Sequence, residues 1–283
     1  MAERRTGRTD EWADERDQGV SRRRLLRWGS LGAASLGTAA LAACSGPSHA
    51  TPNSASDSFS SGATAEPSIS PLPGGASASP ATLRSKPIFK VHDLFPNAPA
   101  DTVALTIDDG PNPTYTPQVL ALLKQYDIQA TFSVVGIEAH AHPDLIRRIA
   151  ADGHTLSNHT MHHPQPLSRK TEAQIRQEIE DTQSVIVDAG APAPTLFRSP
   201  GGDWSSTIFS VAAQNGLTPI DWDIDPRDWA RPGTAKITEK LLAAKPGDIL
   251  LCHDGGGDRS ETIASLRTVL PALKAKGYSF ITL

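Results

Sequence analysis

From Val103 onward, short β-like runs alternate with amphipathic stretches: Val103 to Ile107, Ala130 to Val135, Thr155 to Asn158, Thr195 to Arg198, Thr218 to Trp222, Asp248 to Cys252 and Tyr278 to Thr282. This alternation restricts the fold more than any other feature. Strands separated by helix-length crossovers pair in parallel, whereas tight hairpins would be needed for an antiparallel sheet. The intervening segments carry helix punctuation. Thr116-Pro117 places proline in a first helical turn, Thr171 with Gln174 makes a capping-box pattern, and Gly153, Gly190 and Gly216 stand where helices should stop. Seven strands result, arranged either as a doubly wound sheet or as a closed barrel.

The positions of the polar clusters choose between these. Asp108-Asp109, the His159 to His163 cluster, Arg198, Asp225 with Asp228, and His253-Asp254 all follow the C-terminal ends of strands. A (β/α) barrel gathers those ends at one rim, whereas a doubly wound sheet concentrates chemistry near a single switch point. The expected fold is α/β, a distorted (β/α) barrel of about seven parallel strands. The body from about residue 87 to 283 is long enough for one core. A formal charge of -4, with no basic stripe, argues against a nucleic-acid partner.

Within His159-Thr160-Met161-His162-His163, the outer histidines are four residues apart, so on a helical turn both imidazoles reach one ion. Spacing alone leaves His162 in play. Asp109 is the candidate third ligand in a two-histidine, one-carboxylate set suited to zinc and open to Co2+ or Mn2+. Adjacent carboxylates at Asp108 and Asp109 repel each other unless a cation or an arginine relieves them. Glu138, His140 and His142 form a second group, read as an ordinary exposed loop before Pro143.

Thr106-Ile107-Asp108-Asp109-Gly110, His159 to His163, Arg198-Ser199-Pro200-Gly201, Asp225-Pro226-Arg227-Asp228-Trp229 and Leu251-Cys252-His253 resemble, in order, the five motifs of the polysaccharide deacetylases, the NodB-homology group of carbohydrate esterases. The resemblance implies a distorted barrel and a divalent metal, usually zinc, on Asp109, His159 and His163, with His162 outside. It further implies Asp108 as general base, Arg198 as its counter-ion, His253 as general acid, and Asp225 as the partner of His253. By the same resemblance Gly201 supplies a backbone oxyanion donor, and Trp229 and Leu251 line a slot for the acetyl methyl. The implied reaction is removal of N-acetyl groups from an N-acetylglucosamine polymer such as peptidoglycan or a chitin-like chain. The alternatives are an O-acetyl esterase on xylan or another acetylated polymer, and a catalytically idle wall-glycan-binding lipoprotein. Two positions depart from the pattern: Ile107 where phenylalanine is frequent, and Gly201 where tyrosine is frequent, which removes an aromatic wall of the groove.

The first 44 residues have a different character. Ser21-Arg22-Arg23-Arg24-Leu25-Leu26-Arg27 precedes an apolar run to Ala43, the order of an export signal, and it resembles a twin-arginine signal. Leu41-Ala42-Ala43-Cys44 resembles a lipobox, which implies a diacylated cysteine and a membrane anchor, with ordinary secretion as the alternative. Residues 45 to 86, rich in Ser, Ala and Pro, read as a disordered linker. With Cys44 lipidated, Cys252 has no intrachain partner and is expected to pack as a small apolar residue. The protein is thus expected to be an exported monomer at the cell envelope.

Overall fold

A computed structural model describes residues 83–283, which belong to one compact unit. The signal, Cys44 and all but the last residues of the linker lie outside the described residues. Seven strands form one sheet: β1 (Thr102–Asp108), β2 (Thr131–Val134), β3 (Thr155–Asn158), β4 (Leu196–Phe197), β5 (Thr218–Pro219), β6 (Ile249–His253) and β7 (Ser279–Ile281). Their order is β5-β4-β3-β2-β1-β6, with every pairing parallel.

All seven residues of β1 are buried. Its two faces differ: Val103, Leu105 and Ile107 join the main core, while Thr102, Ala104, Thr106 and Asp108 are equally buried on the opposite face. One edge of β1 pairs with β6 from Ala104↔Ile249 to Asp108↔His253. Its other edge is shared: β7 takes Thr102 to Ala104, and β2 takes Thr106 to Asp108.

The sheet curls into an irregular barrel, and the gap between β5 and β6 is spanned by the segment before Val91. Ile88 bridges Ile220, Lys90 bridges Asp248, and Ile224 bridges Leu250. Lys90 Nζ donates to Asp248 at 2.6 Å and also to Asp223. Strands β4 and β5 are shorter than the sequence predicts. Pro219 has no N–H to donate, and the chain beyond it turns to Ile88, with Ile88 N–H donating to Pro219 O and Asp221 N–H to Ile88 O.

Helices fill the crossovers: α1 (Val91–Leu94), α2 (Thr116–Gln125), α3 (Gly136–Ala141), α4 (Pro143–Ala151), α5 (Glu172–Asp188), α6 (Ser206–Gln214), α7 (Thr234–Leu242) and α8 (Ser260–Ala275). Proline opens α2, and the predicted capping box between Thr171 and Gln174 starts α5. Gly153, Gly190 and Gly216 take left-handed φ values of 84, 93 and 70° just beyond α4, α5 and α6, the conformation that ends a helix without a Cβ penalty. The main core joins Leu105, Ile107, Phe132 and Val134 of the sheet to Val119, Leu123, Ile146, Leu266 and Leu270 of the surrounding helices. Burial of each such side chain contributes about 1.5–3 kcal/mol, which makes the strand ends a rigid platform. No described helix is long and apolar enough to cross a membrane.

Candidate metal centre and its acid partner

Functional side chains gather where the parallel strands end. Asp108 is the last residue of β1 and His253 the last of β6, and the two are register partners. Asp109 follows β1, His159 follows β3, and Arg198 follows β4.

Arg198 is the largest fully buried side chain of the described residues. Its Nη1 donates to Asp108 Oδ1 at 2.7 Å and to Thr106 Oγ1 at 2.8 Å, and its Nη2 donates to the Asp221 carbonyl at 2.8 Å. A buried carboxylate needs such a partner, because an uncompensated charge there costs several kcal/mol. The arginine occupies Oδ1; Asp108 Oδ2 lies 3.8 Å from His159 Nε2.

Asp109, His159 and His163 each present one ligand atom, and these atoms all lie within 4.8 Å of one another. Asp109 Oδ1 stands 3.5 Å from His159 Nε2 and 3.2 Å from His163 Nε2. That oxygen is buried without a protein hydrogen bond, as a ligand atom reserved for a cation would be. His159 Nδ1 donates to the Arg198 carbonyl at 2.7 Å, which fixes the tautomer with its lone pair on Nε2. Burial works to raise the Asp109 carboxyl, but the imidazoles of His159, His253 and His163 around it hold it below the usual carboxylate range. His163 is lowered by burial and by the neighbouring His159, which favours the neutral, ligating form. Two imidazoles and one carboxylate are a fitting donor set for a divalent metal.

The local backbone is unusual. Asp109, Thr160 and His163 have φ values of 72, 68 and 52°, a region non-glycine residues seldom adopt. The 159–163 segment is therefore an irregular loop, which corrects the expectation of a helical turn. It is shaped by Asn158, whose Oδ1 accepts from Thr160 N–H at 3.0 Å, and by Thr160, whose Oγ1 accepts from His163 N–H at 3.1 Å. Behind Asp109 lie Gly255 and Gly256. A Cβ at Gly255 would stand 1.9 Å from the Asp109 carbonyl oxygen, and one at Gly256 would stand 2.8 Å from Asp109 Oδ2.

His253 is held by Asp228, not by Asp225. Asp228 Oδ1 takes the His253 Nδ1 proton at 2.7 Å, while Oδ2 accepts from the His253 backbone N–H and from Thr262 Oγ1, each at 2.8 Å. The physical reason is the turn at Arg227, whose φ of 54° carries the chain so that Asp228 becomes buried. Asp225 instead accepts from Arg227 N–H at 2.7 Å and closes that turn. Burial opposes charge on His253, but Asp228 outweighs it and raises the imidazole to about 9.

The remaining predicted residues divide. Leu251 is buried on β6, two residues before His253 and so on the same face of the strand. Trp229 is 47% exposed, with the Arg227 guanidinium 5.2 Å above its ring. Gly201 is exposed at φ 64°, and a Cβ there would stand 2.6 Å from Gln165 Nε2. His162 is outside the metal cluster, its ring paired with Glu178. Glu138, His140 and His142 lie on and just after the short helix α3 rather than in a loop, and join no metal cluster among the described residues. Cys252 is fully buried, and burial raises its thiol well above the ordinary value.

Asp221 escaped sequence reasoning, and Asp254 entered it only as the neighbour of His253 with no role given. Asp221, just past β5, is raised to about 7 by burial, and its Oδ2 accepts from Trp204 Nε1 at 3.0 Å. Asp254 is likewise raised to about 7 by burial and accepts from Thr116 Oγ1 at 2.5 Å. Nothing in the local spacing of Asp221 separates it from a surface aspartate.

The C-terminal rim of a distorted parallel barrel thus carries an aspartate-histidine-histidine donor set beside a buried Asp108–Arg198 pair. The family model "Polysaccharide deacetylase" matches residues 96–220. A peptidoglycan-N-acetylglucosamine deacetylase from Bacillus cereus is 43% identical over 183 residues, covering 64% of this chain and 85% of that protein. A chitooligosaccharide deacetylase from Rhizobium leguminosarum bv. trifolii is 41% identical over 193 residues, covering 64% and 89%. Among solved structures, a family 4 carbohydrate esterase from Streptomyces lividans in complex with acetate superposes with a TM-score of 0.60 at 34% identity, covering 64% of this chain and 91% of that one. The chain belongs to the polysaccharide deacetylase family, and it is a deacetylase by class.

Proposed function

We propose that the protein is a metal-dependent N-deacetylase acting on N-acetylglucosamine residues of a cell-wall glycan. The observation that carries this reading is the convergence of Asp109, His159 and His163 beside a buried Asp108–Arg198 pair and a proton-bearing His253. Glycan binding alone needs neither a base nor an acid, so a catalytically idle role is disfavoured.

Asp109, His159 and His163 would hold the ion, with zinc the first candidate. When bound, a divalent ion supplies Lewis-acid chemistry that makes a nearby water more acidic and an acetyl carbonyl more electrophilic. Asp108 accepts the proton of the attacking water at Oδ2, the oxygen not taken by Arg198, and Arg198 holds that carboxylate in place as its counter-ion. The Gly201 backbone N–H serves as a second oxyanion donor. His253, its Nδ1 committed to Asp228, delivers a proton from Nε2 to the departing amine, which is otherwise a poor leaving group. Leu251 and Trp229 bound the space for the acetyl methyl.

The wall as substrate follows from the Bacillus relative together with the leader. The twin-arginine-like segment and the lipobox-like Leu41 to Cys44 support reading the enzyme as lipid-anchored on the outer side of the cytoplasmic membrane, a monomer with the body from residue 87 as its catalytic domain and residues 45–86 as its spacer. The chitooligosaccharide relative keeps short chitin-like chains within the substrate class. Acetate release from N-acetylglucosamine oligomers and from acetylated xylan, measured side by side on the metal-loaded protein, tests the reading. Release from the oligomers is expected to dominate, and a preference for xylan would replace it with O-acetyl esterase activity.

A further inference from the structure

The His159–His163 loop is also held from outside, at the backbone of His162. His162 turns away from the metal cluster toward α5, where Glu178 Oε2 accepts from the His162 backbone N–H at 2.8 Å and Glu178 Oε1 faces His162 Nδ1 at 3.2 Å. The Glu178 side chain is only 14% exposed, whereas the His162 ring is 62% exposed. The same helix holds the loop's entrance, because Asn158 Nδ2 donates to the Ile179 carbonyl at 2.8 Å. The other restraints on the loop are neutral: Asn158 Oδ1 on Thr160 N–H, Thr160 Oγ1 on His163 N–H, and the first turn of α3, where Gly136 and Ile137 N–H donate to the Thr160 and Met161 carbonyls. Glu178 alone contributes a carboxylate acceptor to this set, and charge-assisted bonds are roughly twice as strong as neutral ones.

We infer that Glu178 is a positioning residue for the metal site: by gripping the His162 backbone between the two histidine ligands, it holds His159 and His163 in their left-handed, ligating loop. This rests on the metal-centre reading above. Outer partners that orient metal ligands typically contribute about 10- to 100-fold in metal affinity. A bond to the backbone between the ligands should fall near the lower end.

The experiment is zinc titration of the full protein against a competing chelator, with the melting temperature of each metal-free variant measured alongside. Glu178→Ala is expected to bind zinc on the order of 10-fold more weakly, with metal-free melting close to wild type. Glu178→Gln, which keeps an acceptor oxygen for the His162 N–H, should recover binding to within about 3-fold. His162→Ala keeps the backbone bond and loses only an exposed ring pair, so it too should stay within about 3-fold. Glu178→Met fills the same space without an acceptor and serves if the alanine variant does not fold; it should weaken binding as alanine does. Unchanged zinc affinity in the alanine or methionine variant overturns the inference. So does a glutamine variant as weak as alanine, or a His162→Ala variant as weak as Glu178→Ala. In the same titration Asp109→Ala must lose tight zinc binding; if it does not, the metal reading itself fails, which is a separate result.

Discussion

His159 and His253 stand at the same rim of the barrel and are held in opposite ways. His253 is the last residue of β6, in register with Asp108, and a single carboxylate, Asp228, holds both its backbone N–H and its ring. His159 and His163 belong to an irregular loop containing left-handed residues, and hydrogen bonds from Asn158, Thr160 and Glu178 shape it one group at a time. The strand-borne histidine is built for a stable protonation state. The loop-borne pair is built for convergence on one point. A reaction that must both polarise a carbonyl and protonate a leaving amine uses both kinds of construction.

This contrast can be broken first at His253. In His253→Ala, hydrolysis of N-acetylglucosamine oligomers should fall by about 10²- to 10⁴-fold, while cleavage of an activated aryl acetate, whose leaving group needs no proton, should fall far less. Equal losses on both substrates would remove His253 from the acid role.

Arg198 lies between the two constructions, since its guanidinium serves Asp108 and its carbonyl fixes His159. Arg198→Ala leaves a buried carboxylate uncompensated and should cost about 3–5 kcal/mol of folding stability, read from the urea midpoint. A change within about 0.5 kcal/mol, the range of surface substitutions, would mean that the ion pair does not hold the rim together.

The third test is a pH profile. His253 is raised from 6.5 to about 9, so the acid is charged through neutral pH, and activity should fall as pH rises through about 9. Asp228→Asn removes the group responsible. The alkaline limb should then move down toward the ordinary imidazole value near 6.5, whereas Asp225→Asn should leave it nearly in place. A larger displacement in the Asp225 variant would restore Asp225 as the partner.

The same contrast explains what was legible beforehand. All seven strands could be read, because short runs carrying β-branched and aliphatic residues alternate with helix-length segments, and Gly153, Gly190 and Gly216 mark the helix ends. The extents of β2, β4, β5 and β7 were overread, β5 the most, since Pro219 ends its pairing. The assignment of His253 to a strand end needed nothing more. The loop was harder: a four-residue spacing suits a helical turn and suits equally a loop with two left-handed residues, and only the contacts from Asn158 and Glu178 decide. Asp225 and Asp228 both follow the β5 region at plausible distances, and a single backbone angle at Arg227 determines which one enters the core. Glu178 carries no motif of its own. It lies in the first half of α5 and acquires its role through a contact 16 residues removed in sequence.

The most direct test of the account is mass spectrometry of N-acetylglucosamine oligomers incubated with the zinc-loaded protein and with Asp109→Ala. The wild-type protein should produce successive acetyl-sized mass losses, and the variant should produce none above the no-enzyme background. Losses that persist undiminished in Asp109→Ala would contradict the assignment of Asp109, His159 and His163 as the metal site.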